Sequence, residues 1–185
     1  METESAREAG VHTWDPHDYE RHSAAQEDWA RRCLARLRLG GAERILDIGC
    51  GDGRITAELA AMVPHGRVVG IDSSPEMIAH ASARHGGPAH AGLSFAIGDA
   101  TSLSYSSHFD VVVSFNCLHW VGDQRAVLAG ITRALAPGGR TFLHFGGRGN
   151  VAGLRMVIEG VTTGESWRAL PAGFGFPWCF PDAAP

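Results

Sequence analysis

The chain has 185 residues, 44% of them hydrophobic, enough for one domain with a substantial core. Its 16 basic residues against 20 acidic ones leave a net charge of −4, so neither nucleic acid nor an anionic membrane has an electrostatic reason to bind it. All 16 basic residues are arginine, which excludes lysine Schiff-base chemistry and the lysine-bearing phosphate loop of Walker-type nucleotidases.

Residues 1 to 15 read as a loose polar arm, without the charged start and apolar middle of a signal peptide. From Pro16 the chain turns helical through residue 39, with Trp29, Cys33, Leu34, Leu37 and Leu39 on one face and Gly40 and Gly41 as the stop. RILDIG (44–49) is a first strand and ITAELAAMV (55–63) a helix ended by Pro64. RVVGID (67–72) is a second strand, and PEMIAHASARH (75–85) a helix with proline in its first turn. LSFAIGDA (93–100) is a third strand, followed by a serine-rich loop. FDVVVSFN (109–116) is almost continuously apolar, as a strand in the middle of a parallel sheet should be. QRAVLAGITRALA (124–136) is a helix closed by Pro137, Gly138 and Gly139, and RTFLHFG (140–146) a fifth strand. A last helix spans 150–167, and the remainder is rich in proline, glycine and aromatics.

Strands alternating with helices through short loops predict an α/β fold with a parallel sheet and right-handed crossovers. Cys33, Cys50, Cys117 and Cys179 form no CxxC pair, so neither a disulfide framework nor a zinc site is expected. No apolar run approaches the ~18–20 residues of a membrane span. The chain reads as a cytoplasmic protein with reduced thiols, with no metal site and no membrane or nucleic-acid partner.

LDIGCGDG (46–53) joins the first strand to a helix, and its glycines at 49, 51 and 53 permit a sharp turn and close approach of a ligand. The free N–H groups of the helix start favour a negatively charged group. A dinucleotide loop would read G-x-G-x-x-G, but position 54 is Arg, so the third glycine is out of register. Asp72 closes the second strand, where a carboxylate can accept both ribose hydroxyls of an adenosine and would repel a 2′-phosphate.

LDIGCGDG, GIDSSPEM (70–77), GDA (98–100), FDVVVSFNCLHWV (109–121) and LAPGGR (135–140) occur in the order and at the spacing of the class I S-adenosylmethionine-dependent methyltransferases, which this chain resembles over residues 44–146. Tyr19 and Gln26 in the leading helix, the LHWV block and GGRGN (146–150) resemble the trans-aconitate methyltransferase group. The resemblance implies a Rossmann-like, doubly wound, mostly parallel sheet of strand order 3-2-1-4-5. It also implies S-adenosylmethionine as cofactor and a small-molecule methyl acceptor, methylated on oxygen of a carboxylate or hydroxyl. Asp47, Gly49, Cys50 and Gly51 would hold the methionine moiety, with Asp47 near its ammonium. Asp72 would take the ribose hydroxyls, with Ser73 beside it. Asp99 would accept from the adenine amino group while Ala100 donates a backbone N–H; Met77 would wall the adenine pocket and Asn116 lie below the sulfonium. Each has a plainer structural reading: Asp47 as a turn former, Asp99 as a cap, Met77 as core.

Methyl transfer from a sulfonium is an in-line displacement, so positioning is the main contribution, and only a hydroxyl or carbon acceptor needs a base. His119, just past the fourth strand, is the best-placed base, and otherwise shapes the loop beside Trp120. His22 is a second candidate, and His144 is read as core. Trp14, Tyr19, Trp120 and Trp167 suit the walls of an acceptor pocket. Arg148 would pair with an acceptor carboxylate or stand solvated on the surface.

The implied organisation is 1–40 as arm and helix over the cofactor site, 41–147 as the binding core, and 148–185 as helix and tail. The family's sheet ends in an antiparallel hairpin for which residues 147–185 offer no candidate, so the hairpin is expected to be missing. Its absence would leave a sheet edge open to a second copy or a partner. Two rivals follow: a cofactor-binding module that is impaired or partner-dependent in catalysis, and a nicotinamide oxidoreductase, against which the glycine register speaks.

Overall fold

The apolar runs RILDI, RVVGID and FDVVVSF form the centre of one sheet. The computed structural model describes residues 14–87, 91–162 and 178–182. Strand β1 (Arg44–Ile48) lies between β2 (Arg67–Asp72) and β4 (Phe109–Phe115); β3 (Leu93–Ile97) flanks β2, and β5 (Leu135–His144) flanks β4. Every pairing is parallel and the order is β3-β2-β1-β4-β5, as the alternating pattern and the resemblance imply. Among the described residues no further strand joins it.

Alternate side chains divide the core between the two faces of the sheet. Ile45, Val111 and Val113 pack with Ala30, Cys33, Leu34 and Leu59, while Leu46, Ile48 and Val112 pack with Val127, Ile131 and Ala134. One face is thus covered by α2 (Ala24–Leu34) and α3 (Arg54–Met62), the other by α5 (Gln124–Ala134). Helix α4 (Pro75–His85) lies along β2 and β3. Its start is fixed by Pro75 and by Ser74, whose hydroxyl accepts the Met77 N–H. Asp123 caps α5 in the same way.

At the amino ends of the strands, Arg44 grips Asp110 through Nη2 at 2.8 Å and Nε at 3.1 Å, and its backbone N–H adds a third bond at 2.9 Å. These contacts hold the Asp110 carboxyl down to about 2. They clamp β1 to β4 at the end away from the site.

Three expectations are corrected. The leading helix is two helices, α1 (Pro16–His22) and α2, broken at Ser23 and ended at Leu34 rather than at the glycines. Ser23 leaves the helical conformation, and its buried hydroxyl accepts from Arg54 at 2.7 Å. Trp29, placed on the buried face, is 50% exposed, while Ala30, Cys33 and Leu34 are buried. Strand β5 begins at Leu135, so Pro137, Gly138 and Gly139 lie within it. Its pairing with β4 jumps from Phe109↔Leu135 to Val111↔Arg140, and the intervening residues loop out. The last helix, α6, covers Ala152–Thr162; residues 163–167 of its expected span, Trp167 included, fall outside the described residues.

Candidate active site

The carboxyl ends of β1 to β4 open onto one cleft, where open α/β sheets bind ligands. After Ile48 the chain turns at Gly49 in the left-handed region, φ 74°. The amides of Gly49 and Cys50 both donate to the Ile71 carbonyl, at 2.8 and 3.0 Å. A Cβ on Gly49 would lie 2.2 Å from Sγ and 2.4 Å from Cβ of Cys117, so the close approach of loop and β4 end requires glycine.

Asp72 ties the loop to β2. Its Oδ2 accepts the Gly51 N–H at 3.0 Å and its Oδ1 the Ser74 N–H at 2.9 Å. Each oxygen therefore keeps a lone pair for a ligand. Asp99 caps the short turn that follows β3: its Oδ1 accepts both the N–H and the hydroxyl of Thr101, at 2.7 and 2.8 Å. The cap reading of Asp99 thus holds, and neither bond uses its Oδ2.

Gly49, Gly51, Asp72, Ser73, Asp99, Ala100 and Asn116 line this cleft of about 170 Å³, with Met77, 2% exposed, serving as both wall and core. No arginine or histidine lines it among the described residues. A phosphate-bearing cofactor would meet carboxylates and no cation, whereas a diol and an apolar ring edge find acceptors and the walls of Ile48 and Val121.

Asp47 and Cys50 sit in a smaller adjoining hollow with Gly49 and Asn116. Asp47 is 2% exposed and accepts from Thr56 Oγ1 at 2.7 Å. Burial pushes its carboxyl up to about 7; the Thr56 hydrogen bond opposes this and the Asp72 charge adds to it. Cys50 is buried and burial pushes its thiol far up, so an un-ionised side chain stands there. Asn116, at the end of β4, takes a left-handed φ of 54° and donates through Nδ2 to the Gln26 carbonyl at 3.2 Å. It borders the cleft, the hollow and a third, larger cavity.

That cavity, of about 1060 Å³, shares Trp14, Tyr19, Asn116 and Trp120 with the cleft. His119, in the short turn Leu118–Trp120, and His22 line it too. Burial lowers the basicity of His119, so its imidazole is neutral at pH 7. His144, expected in the core, instead ends β5 at the cavity wall. Arg148 stands at the rim, 76% exposed, with Nη1 2.5 Å from Asp182. Its carboxylate partner is therefore within the chain.

Residues with no motif complete the site. Trp178 and Phe180 wall the cavity from a segment that shows no periodicity, held by the Cys179 N–H on the His119 carbonyl at 2.7 Å. Cys117 has a legible signal, since a glycine that close to a strand end needs a neighbour filling its side-chain space. Arg54, directly after the glycine loop, reaches Asp52 at 2.6 Å, Ser23 at 2.7 Å and the Glu27 carboxylate, tying the loop to the α1–α2 junction. Helix α1 itself has no buried residue, yet carries Tyr19 over the cleft. The described residues contain no group of three or more His, Cys, Asp or Glu placed to hold a metal, and no described helix is long and apolar enough to cross a membrane.

A family model described as a methyltransferase domain matches residues 45–139, which contain the glycine loop, Asp72, Asp99, Asn116 and His119. A trans-aconitate 2-methyltransferase of Streptomyces avermitilis is 36% identical over 154 residues, an alignment covering 82% of this chain and 57% of that protein. The trans-aconitate 2-methyltransferase of Streptomyces coelicolor is 35% identical over 165 residues, with 87% and 54% covered. The crystal structure of an S-adenosylmethionine-dependent methyltransferase from Mesorhizobium loti superposes with a TM-score of 0.52 at 32% identity, covering 65% of this chain and 53% of that one. The chain thus spans a little over half the length of the curated relatives it matches.

Proposed function

Since the chain belongs to the S-adenosylmethionine-dependent methyltransferase family, we propose that it binds this cofactor in the smaller cleft and methylates a small molecule in the adjoining cavity, on oxygen of a carboxylate or hydroxyl. The observation that carries the reading is the cleft's lining: two carboxylates with unused lone pairs, a glycine-tight floor, and no cationic side chain among the described residues. When bound, the cofactor supplies an electrophilic methyl group on a sulfonium.

The chain's own residues supply placement. Asp72 accepts the ribose hydroxyls while its loop bonds keep it in position. Asp99 offers Oδ2 to the adenine amino group, and Ala100 its N–H. Asp47 receives the ammonium end from the hollow below. Asn116, fixed by the Gln26 carbonyl, stands where cleft and cavity meet. Trp120 and Tyr19 close that junction and exclude water. For a hydroxyl acceptor the neutral imidazole of His119 takes the proton; a carboxylate acceptor needs no base.

Calorimetric titration with S-adenosylhomocysteine tests the assignment, and micromolar binding is expected. A folded, monodisperse sample that takes up none overturns it. Asp72→Ala is expected to weaken that binding by ~1–3 kcal/mol, through the lost charge-assisted hydrogen bonds and the released Gly51 amide. Asp72→Asn, which keeps one acceptor oxygen, should lose less, and full affinity in folded Asp72→Ala would remove the residue from the site.

The pH dependence has a definite sign. Asp47 titrates at about 7, so it is neutral at lower pH and loses its attraction for an ammonium. Affinity for S-adenosylhomocysteine should therefore be greatest just above neutrality, where Asp47 is charged and the ligand is still an ammonium, and fall below neutrality by up to about tenfold per pH unit. Asp47→Asn should flatten the profile. A wild-type profile that stays flat to about pH 5 would contradict the contact.

A further inference from the structure

We infer that the larger cavity receives a planar, uncharged aromatic hydroxyl compound rather than a carboxylate-rich acceptor, an inference that rests on the methyltransferase reading above. Three independent features of the walls converge on it.

The first is shape. Trp14 and Trp120 meet edge to face at 5.2 Å and 84°, and Trp120 meets Trp178 likewise at 5.6 Å and 75°. Phe180 stacks on His119 at 5.9 Å and 22°. Indoles held edge-on by one another are fixed in orientation and offer flat apolar faces to a ring.

The second is charge. Among the described lining residues the one arginine is Arg148, already paired with Asp182 and largely in solvent. Its carboxylates are Asp15 and Asp18, and the imidazole of His22 is already engaged by Asp18, with Nδ1 3.3 Å from Oδ1. A carboxylate entering this cavity gives up its hydration and meets no unpaired arginine among the described residues, and a polycarboxylate does so several times over. A neutral ring carries no such cost.

The third is hydrogen bonding. Gln26 Oε1, His119 Nδ1 and His144 Nδ1 are buried without a hydrogen-bond partner, and all three residues line this cavity. Buried polar atoms in native proteins are generally satisfied, by protein, water or ligand. The amide oxygen of Gln26 can only accept, so it is served by a donor. A hydroxyl both donates and accepts, which suits a carbonyl oxygen beside imidazoles of either tautomer. It is also the acceptor for which a base at His119 has a use.

The test is calorimetric titration of the full chain, saturated with S-adenosylhomocysteine, with three probes: naphthol, naphthoate, which keeps the ring but exchanges hydroxyl for carboxylate, and trans-aconitate. Naphthol should bind about tenfold or more tightly than naphthoate, the signature of an unpaired charge in an apolar site. Trans-aconitate should give no heat. Trp178→Ala should weaken naphthol by about tenfold, as loss of an aromatic wall does. Naphthoate or trans-aconitate binding as well as naphthol overturns the inference while leaving the methyltransferase reading intact. So does a failure of naphthol to bind, or undiminished naphthol affinity in folded Trp178→Ala. Failure to take up S-adenosylhomocysteine at the first step overturns the methyltransferase reading instead.

Discussion

Gly49→Ala is expected to abolish measurable binding of S-adenosylhomocysteine and to destabilise the fold by about 3 kcal/mol, from ~1–2 for a left-handed alanine and ~1–3 for overpacking. The added methyl would sit 2.2 Å from Cys117 Sγ and 2.4 Å from Cys117 Cβ. The second contact is the decisive one, because a Cβ is fixed to the backbone and cannot rotate away. The loop must therefore back off from β4, which pulls the Gly51 amide from Asp72 and opens the floor of the cleft. Denaturant unfolding and titration together check this. A second change separates the two causes: Cys117→Gly in the Gly49→Ala background should recover the packing part of the loss and leave the part due to φ 74°. Wild-type stability and affinity in Gly49→Ala would mean that the loop does not rest on Cys117.

His119→Ala should lower the rate of methyl transfer to a hydroxyl acceptor by about 10²–10⁴-fold, the range for a general base, with little change in affinity for S-adenosylhomocysteine. The separation follows from location, since His119 lines the larger cavity and is absent from the lining of the smaller cleft proposed for the cofactor. Burial lowers the basicity of the imidazole, so the wild-type rate should be level around neutral pH and fall only on acidification past that lowered value. A merely structural histidine would produce neither the pH limb nor its loss in the variant. Single-turnover rates across pH for both proteins decide it, and a wild-type rate in His119→Ala would return the residue to a loop-shaping role.

What could be read from the sequence was what local chemistry determines. FDVVVSF is almost continuously apolar, as a strand covered on both sides should be, and it became the strand paired with both β1 and β5. The glycine loop and the acidic strand ends were legible because their places at the carboxyl ends of the strands follow from position along an alternating chain. The break at Ser23 was not, because it depends on Arg54, whose guanidinium arrives from beyond the first strand to occupy the serine hydroxyl. The leading segment keeps helical periodicity through that point, and pattern alone runs the helix on. Trp29 was misplaced for the same reason, since its outward direction is set by where α2 restarts. The bulged start of β5 was hidden because Pro137, Gly138 and Gly139 read as a helix stop, whereas the β4 register jump takes them up inside a strand. Arg148 looked available because its partner, Asp182, lies in a stretch without pattern. The aromatic wall was half legible: Trp14, Tyr19 and Trp120 stand beside recognisable blocks, while Trp178 and Phe180 are brought in by tertiary contact alone.

The helix that carries Tyr19 over the cleft buries none of its own residues. What retains it is peripheral: the Asp15 cap, the Glu20–Arg84 pair at 2.8 Å, and the ring of Trp14 against Trp120. The sheet beneath is held by a cluster of buried side chains on each face. Segments with few buried contacts open at a small fraction of the global unfolding free energy. The roof of this molecule is therefore its cheapest door. Opening it loses a few surface contacts, on the timescale of a local fluctuation, while the sheet beneath stays packed.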